Sequence, residues 1–194
     1  MSVLWTDLVR IYRCGFTQRH DLSLALDDTD IYGEDVWGRL LPDDDVVLVP
    51  NEWGIVGGSG KIALSVQYDV SPGYILWIKD TVVYDGARIE VAATLTDDVV
   101  AGATTLLVDT IVGFNDGAMV TVHSQGKKHR GKLRYATGSE LVLYKEDQLR
   151  EGYSAGDVVS SGRYWRVTGR KNPGKWGHIQ ELSVVEIPFG AVSV

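Results

Sequence analysis

The string GGSGK at 57–61 is the first place in the chain where residue types could bind a phosphate. A phosphate loop, G-x-x-x-x-G-K-[ST], needs glycine at 55 and a hydroxyl at 62 to hold magnesium, and the chain has Ile55 and Ile62. The same string fails as a nucleophile elbow, because Ser59 lacks the fifth-position glycine and a following helix. DDTDIYG at 27–33 opens like a calcium loop, yet its fifth position would be Tyr32 and its closing acid would fall on Arg39. That leaves room only for a loose cation site among Asp27, Asp28 and Asp30. His20, His123, His129 and His178 make neither HExxH nor a zinc-deaminase pattern, and Cys14 is the sole cysteine. No metal centre, no cofactor and no catalysis are expected. KKHRGKLR carries Lys127, Lys128, Arg130, Lys132 and Arg134, a candidate partner-binding basic patch. Read as a strand, its spacing of two puts Lys128, Arg130, Lys132 and Arg134 on one face, where they could meet phosphates or an acidic protein surface. Tyr135 is the one aromatic beside them, so the order of readings is solvated hairpin, then protein partner, then nucleic acid.

These residues must be positioned by a chain of 194 residues with net charge −7. The charge is uneven: residues 1–100 carry −10 and residues 101–194 carry +3. The acids cluster as DDTD at 27–30, ED at 34–35, DDD at 43–45 and DD at 97–98, runs that read first as solvated loops. The longest apolar runs, VVLV at 46–49 and YILWI at 74–78, fall far short of the ~20 residues of a membrane helix. Asp7 and Arg10 interrupt the stretch where a secretory leader would be apolar, so secretion is not expected. A lone cysteine fits a reducing compartment.

The apolar period is two almost everywhere: 3–12, 46–49, 61–68, 87–95, 118–123, 140–144 and 179–187 alternate or run as short β-branched stretches. Between them stand SPG, YDG, NDG, SQG, TGS, SAG and NPG, each a turn signal through the positive φ of Gly or the preset φ of Pro. Only KEDQLREGY at 145–153 could give a turn or two of helix. The prediction is an all-β protein, a small β-barrel or sandwich core with a second small barrel-like domain inserted in it.

The insertion is read from two similar strings, IKDTVVYDGARIEV at 78–91 and AGDVVSSGRYWRV at 155–167. Removing what lies between lets YDGARIEV run into GRYWRVTG with its period intact. The expected domains are a discontinuous core, 1–91 with 162–194, and an inserted β domain, 92–161. The competing reading is two unrelated hairpins with similar turns.

VRIYR near the N-terminus, the acidic middle, YDVSPGYILWIKDTVVYDG at 68–86 and RYWRVTGRKNPGKWGHIQELSVVEI at 163–187 together resemble the head-to-tail stopper (head completion) proteins of long-tailed bacteriophages. The shared phrase falls on Asp80, Val82 and Gly86, then Tyr164, Trp165, Val167 and Trp176, then the strand 179–187. It covers the outer two-thirds of the chain; the family core is usually shorter, and 92–161 lies outside it. The resemblance implies a virion protein, assembled in the host cytoplasm, that forms a ring, usually a hexamer, in the phage neck. There it would join the portal or adaptor protein to the tail terminator or tail tube, with no membrane partner. It also implies a loop from each subunit that holds back packaged double-stranded DNA without reading its sequence.

The tip at 50–61 is the expected channel loop, carrying Glu52, Trp53, Gly54, Gly57, Gly58, Ser59, Gly60 and Lys61. Asp27, Asp28, Asp30, Asp43, Asp44 and Asp45 are the expected acidic lumen, since a channel through which DNA slides should avoid cationic contacts that release counterions. The C-terminal VVEIPFGAVSV is apolar enough to dock on a neighbour or extend its sheet. Two other readings stay open: a different tail or baseplate component, and a carbohydrate-binding sandwich using Trp53, Trp165 and Trp176 as platforms. Trp165, in a strand, is expected in the core.

Overall fold

A computed structural model of the chain describes residues 5–13, 17–18, 24–25, 35–42, 49–50, 56–65, 69–124, 127–171 and 180–187. In chain order the strands are β1 (Asp7–Tyr12), β2 (Thr17–Gln18), β3 (Leu24–Ala25), β4 (Val36–Pro42), β5 (Val49–Pro50), β6 (Val56–Gly57), β7 (Ser59–Leu64), β8 (Ile75–Lys79) and β9 (Thr81–Tyr84). They continue as β10 (Ala87–Glu90), β11 (Ala92–Thr94), β12 (Thr105–Leu107), β13 (Met119–Ser124), β14 (Lys127–Thr137), β15 (Glu140–Leu143), β16 (Val158–Lys171) and β17 (Gln180–Glu186). Strands take up 62% of the described residues, and the helical turn among them is a 3-10 turn at Lys145–Asp147. The period of two therefore reported the fold class correctly.

The chain forms two compact units, one built from Met1–Ile78 and Arg163–Val192, the other from Lys79–Gly162. In the first, β16, β17, β7, β4, β1 and β8 pair in that order, and β8 pairs back to β16, closing a six-stranded barrel. Its interior is filled by Val9, Ile11, Val36, Ile62, Leu64, Val70, Leu76, Ile78, Trp165, Val167, Leu182 and Val184. Alternation places each of these. In β4, Val36 and partly buried Leu40 pack against the core while Trp37, Arg39 and Leu41 point out. Gly38 shares the inward side because a Cβ there would lie 3.0 Å from the Ala63 carbonyl oxygen and 3.1 Å from Val9 Cγ2.

The second unit orders its strands β12-β15-β14-β13-β16, with β11 on the other side of β16. Val91, Ala93, Leu95, Leu106, Val108, Phe114, Val120, Val122, Leu133, Leu141, Leu143, Leu149, Tyr153 and Val159 make its core. Strand β16 serves both units, its residues through Gly162 in this one and from Arg163 in the barrel.

The sequence reading put the first seam after residue 91; the structure divides the chain after Ile78. YDGARIEV does not join the sheet of 163–168. Strands β9 and β10 pair only with each other, Ala87 opposite Tyr84 and Glu90 opposite Thr81. Asp85 and Gly86 at their tip have φ of 48° and 77°, the two positive values of a two-residue hairpin turn. This turn folds the segment back on itself. The strand that meets β16 is β8, whose five residues ILWIK are all buried. Likewise β17 cannot extend a neighbour's sheet over 180–186, because β16 and β7 occupy both of its edges; residues 188–194 lie outside the described residues.

Candidate functional site

Between wall strands β4 and β7 the chain makes an excursion over 43–58, within which β5 and β6 form a short ladder, Val49 opposite Gly57 and Pro50 opposite Val56. The expected channel loop is thus shorter than 50–61. Ser59, Gly60 and Lys61 are wall residues of β7, paired with β17 on one edge and, for Gly60 and Lys61, with β4 on the other. Exposed Gly58 is already tied in, its carbonyl accepting the Glu186 N–H at 2.8 Å. Gly60 is small for a packing reason: a Cβ would meet the Leu41 carbonyl oxygen at 3.3 Å and Leu40 Cδ1 at 3.4 Å. Gly57 closes the β5–β6 ladder, while Glu52, Trp53 and Gly54 lie outside the described residues, as do Asp27, Asp28, Asp30, Asp43, Asp44 and Asp45.

The basic string does form a strand, but not a uniform stripe. Lys127, Lys132 and Arg134 are exposed, Lys128 is half-buried and Arg130 is buried. A register shift between Leu133 and Tyr135, which face Leu143 and Val142, leaves Arg134 as the extra residue of a bulge. Arg134 and Tyr135 consequently both reach solvent, the guanidinium 5.8 Å from the ring centroid, and the Lys132 ammonium lies 5.7 Å from the Tyr144 ring. His129, on the opposite side of the strand, is buried, with Nε2 2.9 Å from the Asp147 carbonyl oxygen, so Nε2 carries the proton and donates it. Burial holds its pKa below the ordinary histidine value, and the nearby Arg150 charge adds to that.

Several carboxylates accept hydrogen bonds that fix the backbone. Asp7 accepts from Leu40 N–H, Asp109 from Thr94 N–H, Asp98 from Ala155 N–H, Asp157 from Ser154 N–H and Asp147 from Lys132 N–H, all at 2.8–2.9 Å. Asp80 accepts the Ser161 hydroxyl at 2.5 Å. No group of three or more His, Cys, Asp or Glu side chains suited to a metal ion occurs among the described residues.

The barrel also carries an aromatic layer turned away from its core. Arg10 grips Asp35 through two parallel bonds, Nε at 2.6 Å and Nη2 at 3.0 Å, and its guanidinium lies 5.7 Å from the Trp77 ring. Trp77 stacks on Tyr164 with centroids 5.6 Å apart. Burial pushes the Tyr12 phenol well above its ordinary pKa, so the group stays protonated. Trp77, Tyr12 and Tyr164 are all buried, which makes this layer structural. Trp165 is a core residue, as expected, and so no sugar platform; Trp53 and Trp176 lie outside the described residues.

Two exposed apolar patches were missed in the sequence. One is Trp37 and Leu41 on the outer side of β4; the other is Tyr84 and Ile89 on one face of the β9–β10 hairpin, with Val83 exposed on its opposite face. The signal for the first was present in the alternation of VWGRLL, which sends Trp37, Arg39 and Leu41 to one side. No protein-family model matches the chain, and no curated protein matches it.

Proposed function

We propose that the chain is a structural protein of the phage neck that assembles as a ring between portal or adaptor and tail, passes double-stranded DNA and acts without catalysis. The observation that carries this reading is the closed barrel whose adjacent strands β4 and β7 are interrupted by the 43–58 excursion and its β5–β6 ladder. Closure removes the open edges through which a sheet would otherwise bind, and the interior is filled by side chains, so function falls to the chain inserted between wall strands. An excursion of this length exceeds the 2–5 residues of ordinary hairpin loops. The backbone-fixing work of the carboxylates adds support for a non-catalytic protein.

The test is immunogold labelling of the protein in purified phage particles, paired with deletion of residues 51–55 between β5 and β6. Label at the head–tail junction, with filled heads of the deletion mutant leaking DNA, is the expected result. Label on the tail tip or baseplate would transfer the protein to the tail. Full retention of the genome in the mutant would remove the gating loop. The deletion must stop short of Ser59, because Ser59–Lys61 are barrel wall.

A further inference from the structure

We infer that the Asp85–Gly86 turn at the tip of the β9–β10 hairpin is a modification site, at which the folded chain converts aspartate to isoaspartate through a cyclic succinimide.

The chain holds two Asp-Gly-Ala strings, at 85–87 and 116–118, and no Asn-Gly. Glycine after aspartate favours the reaction, because it has no side chain to obstruct attack by its own nitrogen. The Gly86 nitrogen bonds to Cγ of the Asp85 carboxyl, its proton and the carboxyl hydroxyl leave together as water, and a five-membered imide results. Water then reopens the ring. Attack at the Asp85 main-chain carbonyl breaks its bond to the Gly86 nitrogen, so the chain now runs through Cβ and Cγ and a free α-carboxylate is left. Attack at Cγ restores aspartate. One water is lost and one regained, and nothing is oxidised or reduced.

The two strings share this chemistry but are held differently by the fold. Asp85, Gly86, Asp116 and Gly117 are all exposed, so exposure does not separate them. The attacking nitrogen does. Gly117 N–H donates to the Leu133 carbonyl at 2.7 Å, Leu133 N–H returns a bond to the Ala118 carbonyl at 2.8 Å, and Ala118 N–H closes the turn on the Asn115 carbonyl at 3.0 Å. That nitrogen is thus tied to β14, a strand inside the sheet between β13 and β15. At the hairpin tip, by contrast, Gly86 N–H donates to no carbonyl, and no hydrogen bond or ion pair holds the Asp85 carboxylate, among the described residues.

Ring closure needs rotation about the Asp85 Cα–C bond, so the turn must open first. Asp85 sits at φ 48°, a conformation uncommon for any residue but glycine. Strands β9 and β10 pair only with each other, and such a ribbon is marginal in water and opens more readily than strands inside a sheet. Val82 packs against the core of its unit and Lys79 pairs with Glu90 at 3.0 Å, so the base holds while the tip opens.

Prolonged incubation of the full chain in mildly acidic buffer, followed by peptide mapping, tests this. Isoaspartate is read as methyl transfer from S-adenosylmethionine by an isoaspartyl methyltransferase used as a reagent, and as lost cleavage by an endoproteinase that cuts before aspartate. In the native chain, conversion at 85 is expected to outrun conversion at 116 at least about fivefold, the factor for one additional amide hydrogen bond. In urea the two rates should converge. Asp85→Glu, whose imide would need a six-membered ring, should lose the signal from its peptide with an unchanged circular dichroism spectrum. Equal native rates, or no isoaspartate at 85 over a time in which the unfolded chain converts, would overturn the site. A difference that persists in urea would trace it to the flanking residues Tyr84 and Asn115 and overturn the role of the fold.

Discussion

Gly102 and Gly113 share a φ of 86° and differ in what surrounds them. A Cβ on Gly102 meets nothing within 4 Å, whereas one on Gly113 lies 2.7 Å from Val91 Cγ2 and 3.0 Å from Val82 Cγ1. Replacing either by alanine imposes left-handed strain of about 1 kcal/mol. At Gly113 the clash with two branched side chains adds a further ~1–3 kcal/mol. Gly113→Ala should therefore shift the urea midpoint well beyond Gly102→Ala with an unchanged slope; equal shifts would show that Val82 and Val91 yield freely and that the hairpin base is not held there. The turn at Gly113 was not marked in the sequence, because IVGFNDG draws attention to NDG and says nothing of which side chains will close over the first glycine. Single-residue chemistry was otherwise legible where it failed a pattern, as with Ile55 and Ile62 against the phosphate loop, since a missing ligand is visible without a structure.

At the scale of elements, β14 shows what a strand's period conveys and where it stops. Alternation identified the strand and sent Lys132 outward, but it could not show the bulge that brings Arg134 and Tyr135 to the same solvent side, nor the burial of Arg130. Both depend on β15 and on the 3-10 turn, which are positioned by tertiary packing. That turn is stapled to β14 twice, by the Asp147 carboxylate on Lys132 N–H and by His129 Nε2 on the Asp147 carbonyl. Because burial keeps the folded imidazole below the ordinary value of about 6.5, the unfolded chain takes up a proton that the folded chain refuses once the pH falls below that point. The stability from this group is complete above pH ~6.5 and is lost as the pH drops toward the lower folded pKa. His129→Gln keeps an N–H donor without the titration. Its stability deficit relative to wild type should shrink steadily in urea melts taken from about pH 7.5 down to about pH 5. Parallel pH profiles for the two proteins would mean the staple does not depend on a neutral imidazole.

For the whole molecule, the doubled strand–turn–strand strings correctly raised the question of a discontinuous core but located the seam by likeness of sequence, and barrel closure is decided by pairings far apart in the chain. Gly73 N–H and Val167 N–H bond to the carbonyls of Val167 and Tyr74, so Tyr74 faces Val167. Four residues forward along β8 and four back along β16, this antiparallel register sets Ile78 opposite Arg163, the two residues between which the second unit departs and returns. A two-residue turn fits that gap. Replacing 79–162 by Asn-Gly, the sequence suited to such a turn, should leave all six wall strands and the core from Val9 to Val184 intact. The shortened protein is expected to unfold cooperatively with native-like near-UV signal from Trp77 and Trp165. A molten, non-cooperative product would show that the barrel borrows its stability from the inserted unit.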